Sequence, residues 1–165
     1  MAPALYWSLT ALLVVVLAFI GAWAYLTANR LDRLHVRYDM SWQALDAALA
    51  RRAVVARAIA ADLGPSGAAL AGLADAAERS ARPAREAGEN ELSGALSQVD
   101  FDTVRPALAA ELAEAESRVM LARRFHNDAV RDTLALRERR PVRWLRLGGH
   151  AALPGYFEIA EPAQR

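Results

Sequence analysis

One stretch decides the surroundings this chain needs: from Ala4 to Ala28 there are 25 residues without a charged side chain. Leu9, Leu12, Leu13, Val14, Val15, Val16, Leu17, Phe19 and Ile20 fill its middle. A hydrocarbon core about 30 Å thick needs about 20 helical residues, so the stretch is long enough to cross a bilayer with some tilt. Tyr6 and Trp7 stand near one end, Trp23 and Tyr25 near the other. At about 1.5 Å of rise per residue the two Trp lie roughly 24 Å apart, the separation of the two aromatic belts of a membrane. A cleaved signal peptide competes, because Ala22-Trp23-Ala24 has the small-x-small form of a cleavage site. That reading wants a basic n-region, which Met1-Ala2-Pro3 lacks, and a shorter apolar run. The expectation is an uncleaved anchor over residues 1–29.

Basic residues near the span set its direction. Arg30, Arg33 and Arg37 follow it closely, whereas no basic side chain precedes it. The positive-inside rule therefore expects the N-terminus outside and the remainder in the cytoplasm.

Beyond the span the apolar period stays helical. Leu31, Leu34, Tyr38, Trp42, Leu45, Leu49, Ala56, Ile59 and Leu63 fall at intervals of three, four and seven, one face of a helix. No breaker intervenes, so the spacing predicts one helix from the membrane to Asp62, stopped by Gly64-Pro65. Ser66 is the expected cap of a second helix with Leu70, Leu73, Ala77 and Ala81 on its stripe, interrupted at Pro83. A further helical stretch is expected over 89–98 and a turn over 99–103, with Asp102 or Thr103 capping the next helix and Pro106 in its first turn. That helix should run to about Arg137 with Leu108, Leu112, Ala115, Val119, Ala122, Phe125, Ala129 and Thr133 buried. Alanine supplies 38 positions and β-branched residues are sparse after the span, which favours closely packed helices over strands. The fold expected is all-α: one transmembrane helix continuing into an antiparallel up-and-down bundle of three to four long helices. Tyr38, Trp42 and Phe125 are then packing residues.

Candidate chemistry is sparse. With no Cys, disulfides and thiolate sites are excluded. His35, His126 and His150 stand far apart, and Asp128 and Asp132 do not share the face of His126 at metal-ligand spacing. Gly64-Pro65-Ser66-Gly67 lacks the Gly-x-Ser-x-Gly elbow, and Gly148-Gly149 belongs to no phosphate-binding pattern. Glu111, Glu114 and Glu116 are expected on a solvated face near a helix N-terminus. No catalytic, cofactor-binding or metal-ligating residue is expected.

Charge is distributed unevenly. All 20 basic residues are Arg and the net charge is only +1, yet Arg137, Arg139, Arg140, Arg143 and Arg146 crowd around Trp144 with Glu138 as the one acid among them. This basic patch could bind anionic lipid, nucleic acid or an acidic protein, or simply pack its apolar residues and leave Arg in water. If helix one leaves the membrane, helix two returns and helix three leaves again, the patch starts far from the bilayer. Packing or a protein partner is then favoured over lipid.

Two motifs bear a resemblance. Residues 37–52 (RYDMSWQALDAALARR) and 118–132 (RVMLARRFHNDAVRD) resemble the signature segments of the bacterial LemA family, and Tyr156-Phe157-Glu158 is similar to its aromatic-aromatic-Glu close. The chain departs from the family pattern at His126, usually Tyr there, in its Arg-rich tail and in a shorter middle portion. The resemblance implies a membrane-anchored helical bundle without an established reaction. Read from the residues, Asp39, Asp46, Arg51 and Arg52 on helix one face Arg123, Arg124, Asp128, Arg131 and Asp132 on the last long helix as register-setting pairs, or else as a partner surface.

The segments expected are an anchor (1–29), a LemA-like bundle (30–140) and a basic, aromatic tail (141–165). The function expected is a non-enzymatic, single-pass scaffold at the inner face of a bacterial cell membrane. Its partners are the bilayer through residues 4–28, an unknown protein, and a second copy through the small pair Ala18 and Ala22. The competing reading is a nucleic-acid or anionic-lipid binding module using the Arg-rich segment, with nucleic acid the less favoured.

Overall fold

The computed structural model describes residues 2–147 and 152–159. His150 and Gly148-Gly149 lie outside them. Five α-helices and two short 3-10 turns account for the described secondary structure, with no strand among the described residues. Helix α1 runs Ala2–Asp62 without a break, α2 is Ala68–Arg79, α3 Arg82–Ser97, α4 Pro106–Arg137 and α5 Arg140–Trp144. Within α1 lies a window of mean hydropathy 2.4, none of it buried, long and apolar enough to cross a membrane.

The breaks have local causes. Gly64 takes φ 65°, the left-handed conformation that favours Gly, and Pro65 follows in the 3-10 turn Gly64–Gly67. Ser66 belongs to that turn and donates to the Leu63 carbonyl, so it does not cap α2 as expected. Between α2 and α3 the extended Ser80 and Ala81 precede Pro83, which sits in the first turn of α3 where its missing N–H is harmless. Helix α3 thus starts seven residues before the expected Glu89. In the next connection Asp100 caps the turn Phe101–Thr103 by accepting from the Asp102 N–H, a role expected of Asp102 or Thr103 for α4.

The chain divides into two compact units, and both long helices contribute to each unit. The larger unit is Asp39–Asp128 with Gly155–Arg165. Its main core joins Ala53, Val55, Ala56, Ile59 and Ala60 of α1 to Leu70, Ala74 and Ala77 of α2, Leu92 and Leu96 of α3, and Leu112 and Ala115 of α4. A second cluster holds Leu45, Leu49, Val119 and Phe157, with Trp42 and Ile159 against it. On α4 the buried stripe passes through His126; Phe125 is exposed, contrary to expectation. Surface ion pairs tie Arg51 to Glu111 and Asp62 to Arg105.

Small residues bring the helices close. A Cβ on Gly67 would lie 2.0 Å from the Ala60 carbonyl oxygen and 2.7 Å from two more Ala60 backbone atoms. Backbone cannot yield as a side chain does, so Gly67→Ala is expected to destabilise by about 1–3 kcal/mol or more. Gly72→Ala, with nothing within 4 Å of the added Cβ inside α2, is expected to stabilise by about 0.5–1 kcal/mol. Denaturant midpoints of the full chain in detergent, followed by helical circular dichroism, should move in opposite directions.

The smaller unit is Met1–Tyr38 with Ala129–Pro154. Leu31 of α1, Leu136 of α4 and Val142 of α5 form its core, and Trp23, Leu34 and Leu147 pack against them. Arg37 and Asp132 form an ion pair in it. After α5 the Leu147 N–H returns to the Val142 carbonyl and the Arg146 N–H to that of Arg143, the two bonds of a Schellman motif. Arg146 holds the left-handed position at φ 50°, where Gly is usual, at a cost of about 1 kcal/mol. The expectation that the basic segment starts far from the span is overturned: it packs on α1 beside Leu31.

Candidate functional site

In the larger unit, residues 155–159 are held against α1 and α4, with an amide clamp at their centre. Asn127 accepts from the Phe157 N–H at 2.9 Å and donates to the Phe157 carbonyl at 3.1 Å, pairing with one residue of the irregular segment 152–159 as a strand would. The Phe157 ring is buried and meets Trp42 edge-on, centroids 5.7 Å apart. His126 meets the same indole at 5.6 Å and hydrogen-bonds Ser41 through Nδ1. The Arg82 guanidinium lies 4.2 Å over the Trp42 ring, a cation–π contact that joins α3 to this cluster. Glu158 N–H donates to Glu86, and Arg123 donates to the Ile159 carbonyl.

Beside the clamp lies an open groove of about 560 Å³ lined by Met120, Arg123, Arg124, Asn127, Asp128, Glu158 and Ile159. Met120, Leu121 and Phe125 form an exposed apolar ridge on α4.

Burial lowers the His126 pKa below the ordinary imidazole value; nearby Arg82 lowers it further, and a hydrogen bond to the Gly155 backbone opposes both. The folded state therefore favours the neutral ring more than the unfolded state does. Its contribution is complete above the unfolded value of about 6.5 and is lost progressively as pH falls toward the lower folded value. The melting temperature of the full chain in detergent is expected to fall between about pH 7 and pH 5, and His126→Gln should flatten that slope. Asp62 is also held below the usual carboxylate range, first by the Arg105 backbone N–H, so its loss comes at lower pH and does not blur the window.

The same unit buries an ionic network. Glu89 is wholly buried and bonds Arg52 Nη2 at 2.6 Å and Arg85 Nε at 3.0 Å, and both guanidiniums are at most 4% exposed. Arg52 also donates to Ser93 and the Glu89 carbonyl, and Arg85 to the Glu78 carbonyl, with Asp46 3.4 Å away. Glu116, expected on a solvated face, is half-buried; desolvation raises its pKa and nearby Arg52 lowers it.

The residues expected to pair across α1 and α4 are thus distributed differently. Asp39 and Asp46 meet Arg82 and Arg85, and Arg52 meets Glu89, all on α3. Arg51 and Asp132 do join α1 to α4, through Glu111 and Arg37. Arg123, Arg124 and Asp128 line the groove, and Arg131 is exposed. In the smaller unit Arg139, Arg140, Arg143, Trp144 and Arg146 are exposed, while Arg137 donates to the Ala152 carbonyl. Tyr6, Trp7 and Tyr25 are exposed, and Trp23 is half-covered.

Sequence reasoning passed over Arg82, Arg85, Glu89 and Asn127 as site residues. Periodicity does signal Glu89, which shares a helical face with Leu92 and Leu96. Asn127 and Arg82 carry no such signal, since their roles depend on residues 155–159 and on Trp42. Among the described residues no group of three His, Cys, Asp or Glu is placed to hold a metal ion. Comparison with family models, curated proteins and solved structures finds no match.

Proposed function

We propose that this chain is a LemA-like, single-pass membrane protein whose helical bundle acts as a non-enzymatic scaffold at the inner face of a bacterial membrane. The observation that carries this reading is the apolar ridge Met120, Leu121 and Phe125 beside the charged groove, each of the three more than half exposed. Contact order supports the antiparallel bundle. Residues Ser41, Arg51 and Asp62 of α1 meet His126 and Glu111 of α4 and Arg105 just before it, in descending order. Asp39, Asp46 and Arg52 meet Arg82, Arg85 and Glu89 of α3 in ascending order, as up-down-up-down packing requires. The uncharged stretch of α1 supports the anchor, and Arg30, Arg33 and Arg37 support a cytoplasmic bundle.

A photo-crosslinking side chain at Phe125 of the full protein in cells is expected to capture one defined protein partner. Adducts no stronger than those from exposed Glu91 on α3 would sink the scaffold reading. A reporter fused after Arg165 is expected to be active only if it works in the cytoplasm; activity of a reporter that needs export would reverse the orientation.

A further inference from the structure

The smaller unit brings together features that are far apart in the sequence. Val142 of α5 and Leu136 of α4 bury against Leu31, three residues past the end of the uncharged stretch, or about 5 Å along the helix. Trp23, inside that stretch, packs against the same cluster, as does Leu147. The Schellman turn that returns Leu147 toward Val142 places Arg146 in a left-handed conformation and leaves Trp144 87% exposed with Leu145 half-exposed beside it. An exposed indole flanked by Arg is poorly suited to water alone, but it matches the chemistry of a headgroup layer.

Charge completes the picture. Residues 28–38 and 129–147 contain nine Arg against three acids, a net of +6, whereas residues 39–128 contain ten Arg against fourteen acids. Of the three acids Asp132 is paired with Arg37. Among the described residues, Arg139, Arg140, Arg143 and Arg146 meet no acidic partner, and Arg30 and Arg33 are exposed on the α1 side of the unit. The near-neutral chain thus carries a basic collar at the level where α1 leaves its uncharged stretch. Guanidinium forks bind phosphate bidentately, and anionic leaflets concentrate such phosphates at that level.

We propose that the α5 turn and the adjoining face of α1 form a collar that binds anionic phospholipid headgroups, with Trp144 and Leu145 entering the interface and Arg139, Arg140, Arg143 and Arg146 on the phosphates. This rests on the reading that α1 spans the bilayer. Docking of the collar would hold α1 and the end of α4 at a fixed height and make the bundle's attachment depend on leaflet charge.

The chain has no Cys, so the full-length variants Leu145→Cys and Leu17→Cys each take one environment-sensitive fluorophore. They are reconstituted into phosphatidylcholine nanodiscs with or without about one-third phosphatidylglycerol. The Leu17 label is expected to report hydrocarbon in both. The Leu145 label is expected to shift to the blue only with phosphatidylglycerol, by an amount at least halved when ionic strength rises from about 0.05 M to about 0.5 M. Arg139→Gln, Arg140→Gln and Arg143→Gln combined with Arg146→Gly keep the turn and are expected to abolish the shift. A Leu145 label in water while the Leu17 label is in lipid overturns the collar and leaves the anchor standing; a Leu17 label in water overturns both. An equal shift in neutral discs, or retention of the shift by the fourfold variant, overturns the role of the guanidiniums. Binding of duplex DNA without any response to phosphatidylglycerol assigns the collar to nucleic acid and overturns the lipid reading.

Discussion

Glu89→Gln is expected to destabilise the protein by about 3–5 kcal/mol, the loss typical of a buried ion pair deprived of one partner. The Glu89 carboxylate bonds Arg52 and Arg85 at once, and all three side chains are buried. A guanidinium cannot discard its proton to escape burial, so a neutral Gln leaves two positive charges facing each other. Asp46 at 3.4 Å from Arg85 and the half-buried Glu116 offset only part of that charge. Replacing the whole network, as Arg52→Met, Arg85→Met and Glu89→Leu together, is expected to be neutral or stabilising by about 1–4 kcal/mol, because the desolvation of all three ions is then avoided. Denaturant midpoints of the full chain in detergent check both. A Glu89→Gln loss below about 1 kcal/mol, the range of an ordinary substitution, would mean that water reaches the site.

Phe157→Ala is expected to release residues 155–159. Deleting a buried Phe side chain costs about 3–5 kcal/mol. Residues 155–159 are held by a few hydrogen bonds, each worth about 1 kcal/mol net, by the buried Phe157 ring and by the partly buried Ile159. The loss therefore appears as detachment of the segment and not as unfolding of the helices. Trp42, which Phe157 covers edge-on, should shift its emission to the red, and amide exchange at residues 155–159 should accelerate while α1 to α4 remain helical. Asn127→Ala removes both clamp bonds and is expected to act in the same direction with a smaller effect. Unchanged Trp42 emission in both variants would show that the ring contact does not hold the segment.

Features legible in the sequence share one property: their cause lies within a few residues. The unbroken α1, its stop at Gly64 and the end of α4 at Arg137 follow from period, breaker and reach. The face of α1 from Leu31 to Ile59 was equally readable. Errors arise where a neighbour distant in the chain decides. His126 displaces Phe125 from the core because Ser41, Trp42 and Gly155 offer its ring polar and aromatic partners, which a one-residue turn of the stripe accommodates. Arg52 and Arg85 look like surface charges until Glu89 is placed between them.

The basic tail shows the same division most clearly. Its composition is plain from the residues, but its place depends on a neighbour about 110 residues away in the chain, since Val142 of the Arg-rich turn packs beside Leu31.

Sequence alone established a helical chain with an apolar stretch of membrane-spanning length, since backbone hydrogen bonding and apolar period are local properties. Packing of distant residues decided which charges are buried, what residues 155–159 cover, and that the Arg-rich turn lies beside Leu31. Those outcomes depend on which helix faces which, and period carries no information about that.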